Sequence, residues 1–398
     1  MMKNLYFFTL VFTLGCFNLK GQDPTFTLID HNPLNINPAF ASNSNGQVQF
    51  LSVSRQQWWN LPGPNPLAAG YHMNSASFLY PLVSKKEHGL GTGMKVDRNV
   101  AGEGSLNLTN VDAYLASRLS GRTRTYLPYY LPPFLRNSRF NVEVGISVGL
   151  KQYNLDWSQL IFSTQIDPFL GFINSTPQIN PRVETSNLAI NSNFGGAMTF
   201  TNSKSHFAVG GGFFNWNQPG ISFFDQTERI PRRCSVHGTY RVLLPPARGV
   251  TNQFKASYWM VRVNSAWQGP NNSNEIRVGT NINGLLTFYS GLRSIINPTL
   301  DRRMDALLWS MQVNTRFFML SVGYDFTVSS LNIQRTRGTS EIGLIIPFGT
   351  RRNLIGGRKS EPCYVDYINS NSEWKAVEQF NSKSTFWGRE YSPITFMK

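Results

Sequence analysis

Asn141-Val142-Glu143-Val144-Gly145-Ile146-Ser147-Val148-Gly149-Leu150-Lys151 decides the fold class. Its aliphatic residues recur at every second position, and the residues between them are charged, polar or glycine. Successive side chains of a strand point to opposite faces, so one face here is wholly aliphatic and the other hydrophilic. A helical period would mix the two. The same alternation returns downstream. Ile276, Val278, Thr280 and Ile282 alternate with Glu275, Arg277, Gly279 and Asn281. Asn283-Gly284 follows, a dipeptide suited to the positive backbone angles of a tight hairpin, and the chain continues as Leu285 to Arg293. Leu307, Trp309, Met311 and Val313 alternate with Leu308, Ser310, Gln312 and Asn314, and Phe318, Leu320, Val322, Tyr324 and Phe326 follow almost directly.

Clusters of Gly, Pro, Asn and Ser punctuate the chain from Gln47 onward. The segments between them predict strands starting near Gln47, Gly70, His88, Leu106, Phe140, Leu188, Phe207, Ser235, Phe254, Glu275, Leu285, Ala306, Arg316 and Thr339, fourteen in all. Only Glu373 to Phe380 offers a short helical turn, so the class is all-β. The stretches Gln152 to Asn187, Asn215 to Cys234 and Thr327 to Gly338 are long connections, whereas the turns after the tenth and twelfth strands are minimal. Aromatics gather near strand ends, at Phe78 and Tyr80, Trp58-Trp59, Phe213-Phe214 and Phe223-Phe224. Two architectures share this pattern. A transmembrane outer-membrane β-barrel turns its aliphatic faces to lipid, with short periplasmic turns, longer outer loops and aromatic girdles. A secreted β-sandwich seals those faces against each other.

The chain has 398 residues, of which 41% are hydrophobic, 13% aromatic and only 15% charged. Soluble domains carry about 25% charged residues, so this balance excludes a disordered chain and a charge-laced helical protein. The formal charge of +15 is scattered in pairs such as Arg232-Arg233, Arg302-Arg303 and Arg351-Arg352. No basic tail points to nucleic acid, and anionic lipid or surface polymer suits the surplus. Three cysteines, Cys16, Cys234 and Cys363, allow at most one bridge.

At the start, Met1-Met2-Lys3-Asn4 precedes an apolar core from Leu5 to Leu14 and a small-residue end at Gly21, the pattern of a secretory signal peptide spanning 1–21. Acylation at Cys16 is the competing reading, but Thr13 stands where that processing prefers Leu. Beyond this segment no run of about 18 uncharged apolar residues exists, which excludes transmembrane helices. A chain of this kind that enters a membrane must close into a barrel.

Several strings resemble the PorP/SprF family, outer-membrane proteins of the type IX secretion system. Asn32-Pro33-Leu34-Asn35-Ile36-Asn37-Pro38-Ala39-Phe40-Ala41 is similar to the family's opening stretch, a doubled Asn-Pro ending in Asn-Pro-Ala. Arg55-Gln56-Gln57-Trp58 resembles its Arg-x-Gln-Trp. Gly89-Leu90-Gly91 with Asp97 resembles its third strand, and Gly145 to Leu150 with Tyr153-Asn154 and Trp157 its fifth. Asn217-Gln218-Pro219, Ile221-Ser222-Phe223, Ile230-Pro231-Arg232-Arg233 and His237-Gly238-Thr239-Tyr240 form the most distinctive part. Gln268-Gly269-Pro270, Tyr324-Asp325-Phe326-Thr327 and Ser340-Glu341-Ile342 complete a collinear series. Two features depart from the family pattern: fifty residues follow Phe348, and the long Thr123 to Asn137 stretch falls where a short periplasmic turn is expected.

The resemblance implies an integral outer-membrane barrel, bounded here at 46–348; an N-terminal periplasmic segment is expected at 22–45, and 349–398, beyond the family pattern, is expected as a C-terminal periplasmic extension because both termini of an even-stranded barrel lie on that side. It implies no enzyme and no cofactor. The expected role is in secretion and surface attachment of cargo, such as gliding adhesins with a C-terminal sorting domain, with other type IX components, outer-membrane lipid and lipopolysaccharide as further partners. A porin or hydrophobic-solute channel is the alternative.

Gly145-Ile146-Ser147-Val148-Gly149 fits the spacing of a nucleophile elbow, but that motif needs a strand-to-helix turn and Ser147 lies inside an alternating strand, so small lumen-facing residues explain it better. His31, His72, His88, His206 and His237 show no helical metal-binding pair. His237 is expected to hydrogen-bond inside the barrel wall. The partner-binding candidates are Asn217, Gln218, Pro219, Pro231, Arg232 and Arg233, with Arg55, Gln57 and Trp58. Two guanidinium forks at Arg232-Arg233 can grip carboxylates of a cargo domain or lipid phosphates. Interfacial anchoring, or a salt bridge to a lumen carboxylate such as Glu143, explains them equally well.

Overall fold

The computed structural model describes residues 25–42, 47–58, 70–84, 88–102, 105–122, 138–156, 160, 166–167, 169, 171–172, 185–201, 205–223, 228–243, 258–268, 271–282, 286–296, 302–315, 318–329 and 336–348. Three 3-10 turns, Ile29–His31, Pro33–Asn35 and Pro38–Ser42, precede the strands. These are β1 (Val48–Gln57), β2 (Tyr71–Ser84), β3 (His88–Ala101), β4 (Leu106–Arg122), β5 (Arg139–Asn154), β6 (Ile166–Asp167), β7 (Gly171–Phe172), β8 (Ala189–Thr201), β9 (Ser205–Phe214), β10 (Gly220–Ile221), β11 (Glu228–Arg229), β12 (Arg233–Leu243), β13 (Tyr258–Gln268), β14 (Asn271–Ile282), β15 (Leu286–Ile296), β16 (Arg302–Asn314), β17 (Met319–Thr327) and β18 (Thr339–Phe348). Fourteen of them form one closed antiparallel barrel, and β6–β7 and β10–β11 are small hairpins within connections. Closure runs from Val48 opposite Phe348 to Gln57 opposite Thr339, which leaves the sheet without an edge.

The expected strand starts hold along the whole barrel. The largest displacement is four residues, as between expected Phe254 and observed Tyr258. The hairpin assigned to Asn283-Gly284 joins β14 to β15 with Ile282 opposite Leu286; the dipeptide itself lies outside the described residues, as do 123–137, 349–398 and the turn assigned to Glu373–Phe380.

The deciding stretch is inside out relative to a soluble protein. On β5, Val144 and Ile146 are each 58% exposed, whereas Glu143 is 0% and Ser147 3% exposed. Ile276 and Val278 on β14, Leu307 and Trp309 on β16, and Ile342 on β18 likewise face outward. A contiguous apolar exterior has no place in water. The sandwich alternative, which needs these faces sealed together, is thereby excluded. β1 and β18 have ten residues each. At the usual rise and a tilt of about 40°, such a strand climbs about 25 Å, the height of an outer-membrane barrel's apolar band.

Inside, the lumen is occupied. The segment at 22–45 was expected outside the barrel, yet its residues 26–34 and 36–42 are buried within it. Leu34 and Phe40 pack in one apolar cluster with Leu51, Leu79, Met319 and Ile345, which turn inward from the wall. Wall glycines admit the backbone of this segment. A Cβ on Gly145 would stand 2.6 Å from Pro38 and Ala39, and one on Gly212 2.6 Å from the Ile36 carbonyl. Asn141, Glu143, Ser147, Gly149 and Lys151 share the inward face of β5 with Gly145, so the small residues of Gly145 to Gly149 are lumen residues.

Opposite outcomes are expected from adjacent substitutions on β5. Ile146→Arg introduces a charge into lipid and should cost about 2–4 kcal/mol in folding titrations into vesicles if it lies near the bilayer midplane. Gly145→Val should instead leave a heat-modifiable barrel whose N-terminal segment is displaced, read as new protease cleavage within residues 25–42. Overpacking of this kind costs about 1–3 kcal/mol.

Candidate functional site

Proline and asparagine shape the lumen segment. Pro33 and Pro38 open the second and third 3-10 turns, where a missing N–H costs nothing. Asn37 Oδ1 accepts the Ala39 N–H at 2.9 Å, and its Nδ2 donates to the Gly196 carbonyl at 2.9 Å and lies 3.1 Å from His237 Nε2. The second Asn-Pro therefore caps its own turn and ties it to the wall. His237 takes its expected place in the lumen, with its ring 5.0 Å from that of Phe40.

Toward the rim opposite the start of β1, charge replaces apolar packing. Arg55, Arg262, Arg277 and Arg293 face Asp30, Glu275, Asp325 and Glu341, four guanidiniums to four carboxylates. Arg55 pairs with Asp325 at 2.9 Å and with Glu341. Arg293 pairs with Asp325 at 2.9 Å and Glu275 at 2.6 Å, and Arg277 meets Glu275 at 2.5 Å. Asp30, from the lumen segment, takes Arg262 at 2.5 Å. Every member is buried. Buried charges are tolerated only when paired and hydrogen-bonded, and removal of one partner costs about 3–5 kcal/mol.

Thr27 sits at the centre of this cluster. Its N–H and that of Leu28 each donate to Glu341 at 2.7 Å, its hydroxyl donates to Asp325 at 2.7 Å, and Arg293 donates to that hydroxyl at 2.9 Å. Arg277 donates to its carbonyl. Glu341 thus holds two consecutive backbone amides. A second polar group occupies the β3–β4 wall, where Lys95 pairs with Asp97 at 2.7 Å and Asn191 donates to Asp112 at 3.2 Å.

The partner candidates separate into two environments. Arg55 faces the lumen cluster, Gln57 ends β1, and Trp58 packs edge-on against Tyr71 with ring centres 5.1 Å apart while its N–H donates to the Gly338 carbonyl at 3.0 Å. The strings 217–219 and 230–233 fold together as one hairpin at the same rim. Positive φ angles of 54° at Asn215 and 46° at Gln218 turn the chain. Asn217 accepts the Ser192 N–H at 3.0 Å and donates to the Ile190 carbonyl at 2.6 Å, which stitches the hairpin to β8. The Pro219 carbonyl accepts from the Ile230 N–H at 3.0 Å, and the Pro231 carbonyl from Asn215 Nδ2 at 3.2 Å.

Arg232 and Arg233 do not act as a pair. Arg232 is exposed, lies 4.9 Å above the Trp216 ring and donates from Nε to the Trp216 carbonyl at 3.1 Å. Arg233 is buried, lies 4.1 Å above the Phe214 ring and donates to the Asn35 carbonyl at 2.7 Å. One guanidinium faces out while its neighbour grips the lumen segment. Phe214, expected in an aromatic girdle, is buried, whereas Phe78 and Tyr80 do face outward.

Sequence reasoning missed the lumen cluster. Its signal was present, because Glu275, Arg277, Asp325 and Glu341 all fall on the hydrophilic side of an alternating strand.

Among solved structures, the fold is similar to CdiB from Acinetobacter baumannii, with 8% identity, 76% of this chain and 60% of that chain covered, and a TM-score of 0.40. The CymD monoaromatic hydrocarbon channel gives 10% identity, 83% and 96% coverage and a TM-score of 0.40. A mutant of Rh. blastica porin gives 9%, 76% and 100%, with a TM-score of 0.30. The chain thus spans 60% of the length of CdiB. No curated protein matches the chain. The family model described as type IX secretion system membrane protein PorP/SprF matches residues 18–346, the whole of the lumen segment and nearly all of the barrel, and the chain belongs to that family.

Proposed function

We propose that this type IX secretion component is a non-enzymatic, non-conducting barrel that engages exported cargo through its outer rim. The observation that carries this reading is the occupied lumen. Residues 26–34 and 36–42 are buried in it, and four guanidiniums balance four carboxylates around Thr27. A conducting pore would leave such groups lining water. With the interior committed, the rim is the surface left for recognition, and it carries a hairpin that holds Trp216 and Arg232 exposed in one stacked unit. An aromatic–guanidinium pair on a rigid support suits a protein partner, since Trp and Arg dominate interface energetics. The cargo proposed is a surface adhesin with a C-terminal sorting domain, retained by this rim after export. Lipopolysaccharide phosphate is the second ligand that Arg232 suits.

Deletion of the gene should leave that cargo unsecreted or shed into the medium, and normal surface display of every sorted protein would refute the role. In a mild-detergent pull-down from wild-type cells, a large surface protein should stay attached. Trp216→Ala with Arg232→Ala should weaken that complex about 30-fold, the equivalent of about 2 kcal/mol, while heat-modifiable migration is unchanged.

Planar bilayers distinguish the porin and solute-channel alternative. Purified full-length protein should give no steady conductance, and Arg55→Ala with Glu341→Ala, which unfastens Thr27, should give intermittent openings. Steady conductance from the unaltered protein would establish the channel instead.

A further inference from the structure

The lumen segment does more than fill space, because its two ends lie at opposite rims. Arg55, Asp325 and Glu341 each stand two residues from a strand end, at Gln57, Thr327 and Thr339, and Met73 stands two residues after the start of β2. All four ends belong to the rim where 58–70 and 328–338 connect the strands. These are the residues that hold the beginning of the segment. Glu341 and Asp325 bind Thr27 and Leu28, and Phe26 clusters with Leu28, Val53 and Met73. At the other end, a Cβ on Gly91 would run into Ala41 and Ser42. Gly91 lies three residues from His88, where β3 begins, at the rim where β1 starts and β18 ends. Between these points Asp30 pairs with Arg262, and His31 lies against Gly343 near the middle of β18.

From this path we infer that the chain passes through its own barrel and that the mature N-terminus leaves at the rim opposite the start of β1. Thr25 is already only partly buried. With cleavage after Gly21, only three residues precede Thr25, a reach of about 10 Å that is too short to return to the other rim. The inference rests on the outer-membrane reading for its compartment. In an even-stranded barrel both strand termini face the periplasm, which puts the mature N-terminus on the cell surface. It emerges beside the joint where the Trp58 N–H meets the Gly338 carbonyl. A partner that grips these first residues is therefore a surface or secreted protein and not a periplasmic one.

Cysteines introduced one at a time into the full-length chain carrying Cys234→Ser and Cys363→Ser, probed with a membrane-impermeant maleimide, test this directly. Phe169→Cys, on the fully exposed side of the β5–β8 connection, reports the outer rim. Ser203→Cys, between β8 and β9, reports the periplasmic rim, and the chain without an introduced cysteine gives the background. Asp23→Cys should label in intact cells as Phe169→Cys does, with no gain when the outer membrane is permeabilised. A many-fold gain on permeabilisation, parallel to Ser203→Cys, would overturn the proposal. If the two controls exchange behaviour, the membrane orientation fails, and the path through the lumen is still judged by which control Asp23→Cys follows. Should the cysteine variant not assemble, an epitope between Gln22 and Asp23 separates the same two outcomes: antibody binding on intact cells supports the path, and binding only after permeabilisation overturns it.

Discussion

Pairing of desolvated charge inside the barrel is the constraint on which the rest of the structure depends. A fourteen-stranded wall with an aliphatic exterior must turn its polar residues inward, and this interior carries Arg55, Arg262, Arg277 and Arg293 away from solvent. Guanidiniums cannot discharge by losing a proton, so each must find an anion or an acceptor. Three carboxylates of the wall, Glu275, Asp325 and Glu341, pair with Arg55, Arg277 and Arg293. Asp30 supplies the fourth, and Thr27 and Leu28 supply the backbone groups that complete the coordination of Glu341 and Arg277. The lumen segment is therefore a counter-ion and hydrogen-bond partner of the wall, not an insert that happens to fit. Glycines at 145, 195 and 212 follow from the same need, since side chains there would hold the backbone away.

That internal commitment divides the outer rim. Arg233 and Phe214 turn inward to hold Asn35, while Arg232 and Trp216 turn outward on the same hairpin. Backbone alternation separates Arg232 from Arg233 as the chain enters β12, and the turn at Asn215, with its φ of 54°, separates Trp216 from Phe214. A contact made with Arg232 is thus mechanically one residue away from the lumen segment. The exposed pair is also rigid, since the Asn217 side chain fastens the hairpin to β8. Rigidity lowers the entropy lost on binding.

Most of the barrel was legible because a period of two survives in nearly every strand, and strand starts are marked by turn residues. Which face met lipid was legible only in part. Alternation is symmetric between a sandwich and a barrel, and exposure of Val144 and Ile146 had to break the tie. The lumen segment was not legible as structure. Its 3-10 turns are too short to show a period, and Asn and Pro mark loops as readily as plugs. Nor was the division of Arg232 from Arg233. With β12 expected from Ser235 and observed from Arg233, the strand's alternation begins two residues before the sequence pattern reveals it. Charged residues at lumen positions of β14, β17 and β18 were visible, but Thr27, which binds Arg277, Asp325 and Glu341, lies 250, 298 and 314 residues from them.

That separation bears on how the molecule assembles. Thr27 is bound to Glu341 across 314 residues and to Asp325 across 298. Bringing such ends together costs on the order of 5 kcal/mol in chain entropy plus a constant. The contacts that offset this cost form at one place. Arg55 on β1 reaches Asp325 on β17 and Glu341 on β18, the same strands whose ladder closes the barrel. Each half supports the other. Without closure Asp325 and Glu341 are not beside Arg55, and without Thr27 the closed wall leaves Glu341 short of donors. Closure of the β1–β18 seam and seating of the N-terminal segment therefore reinforce each other.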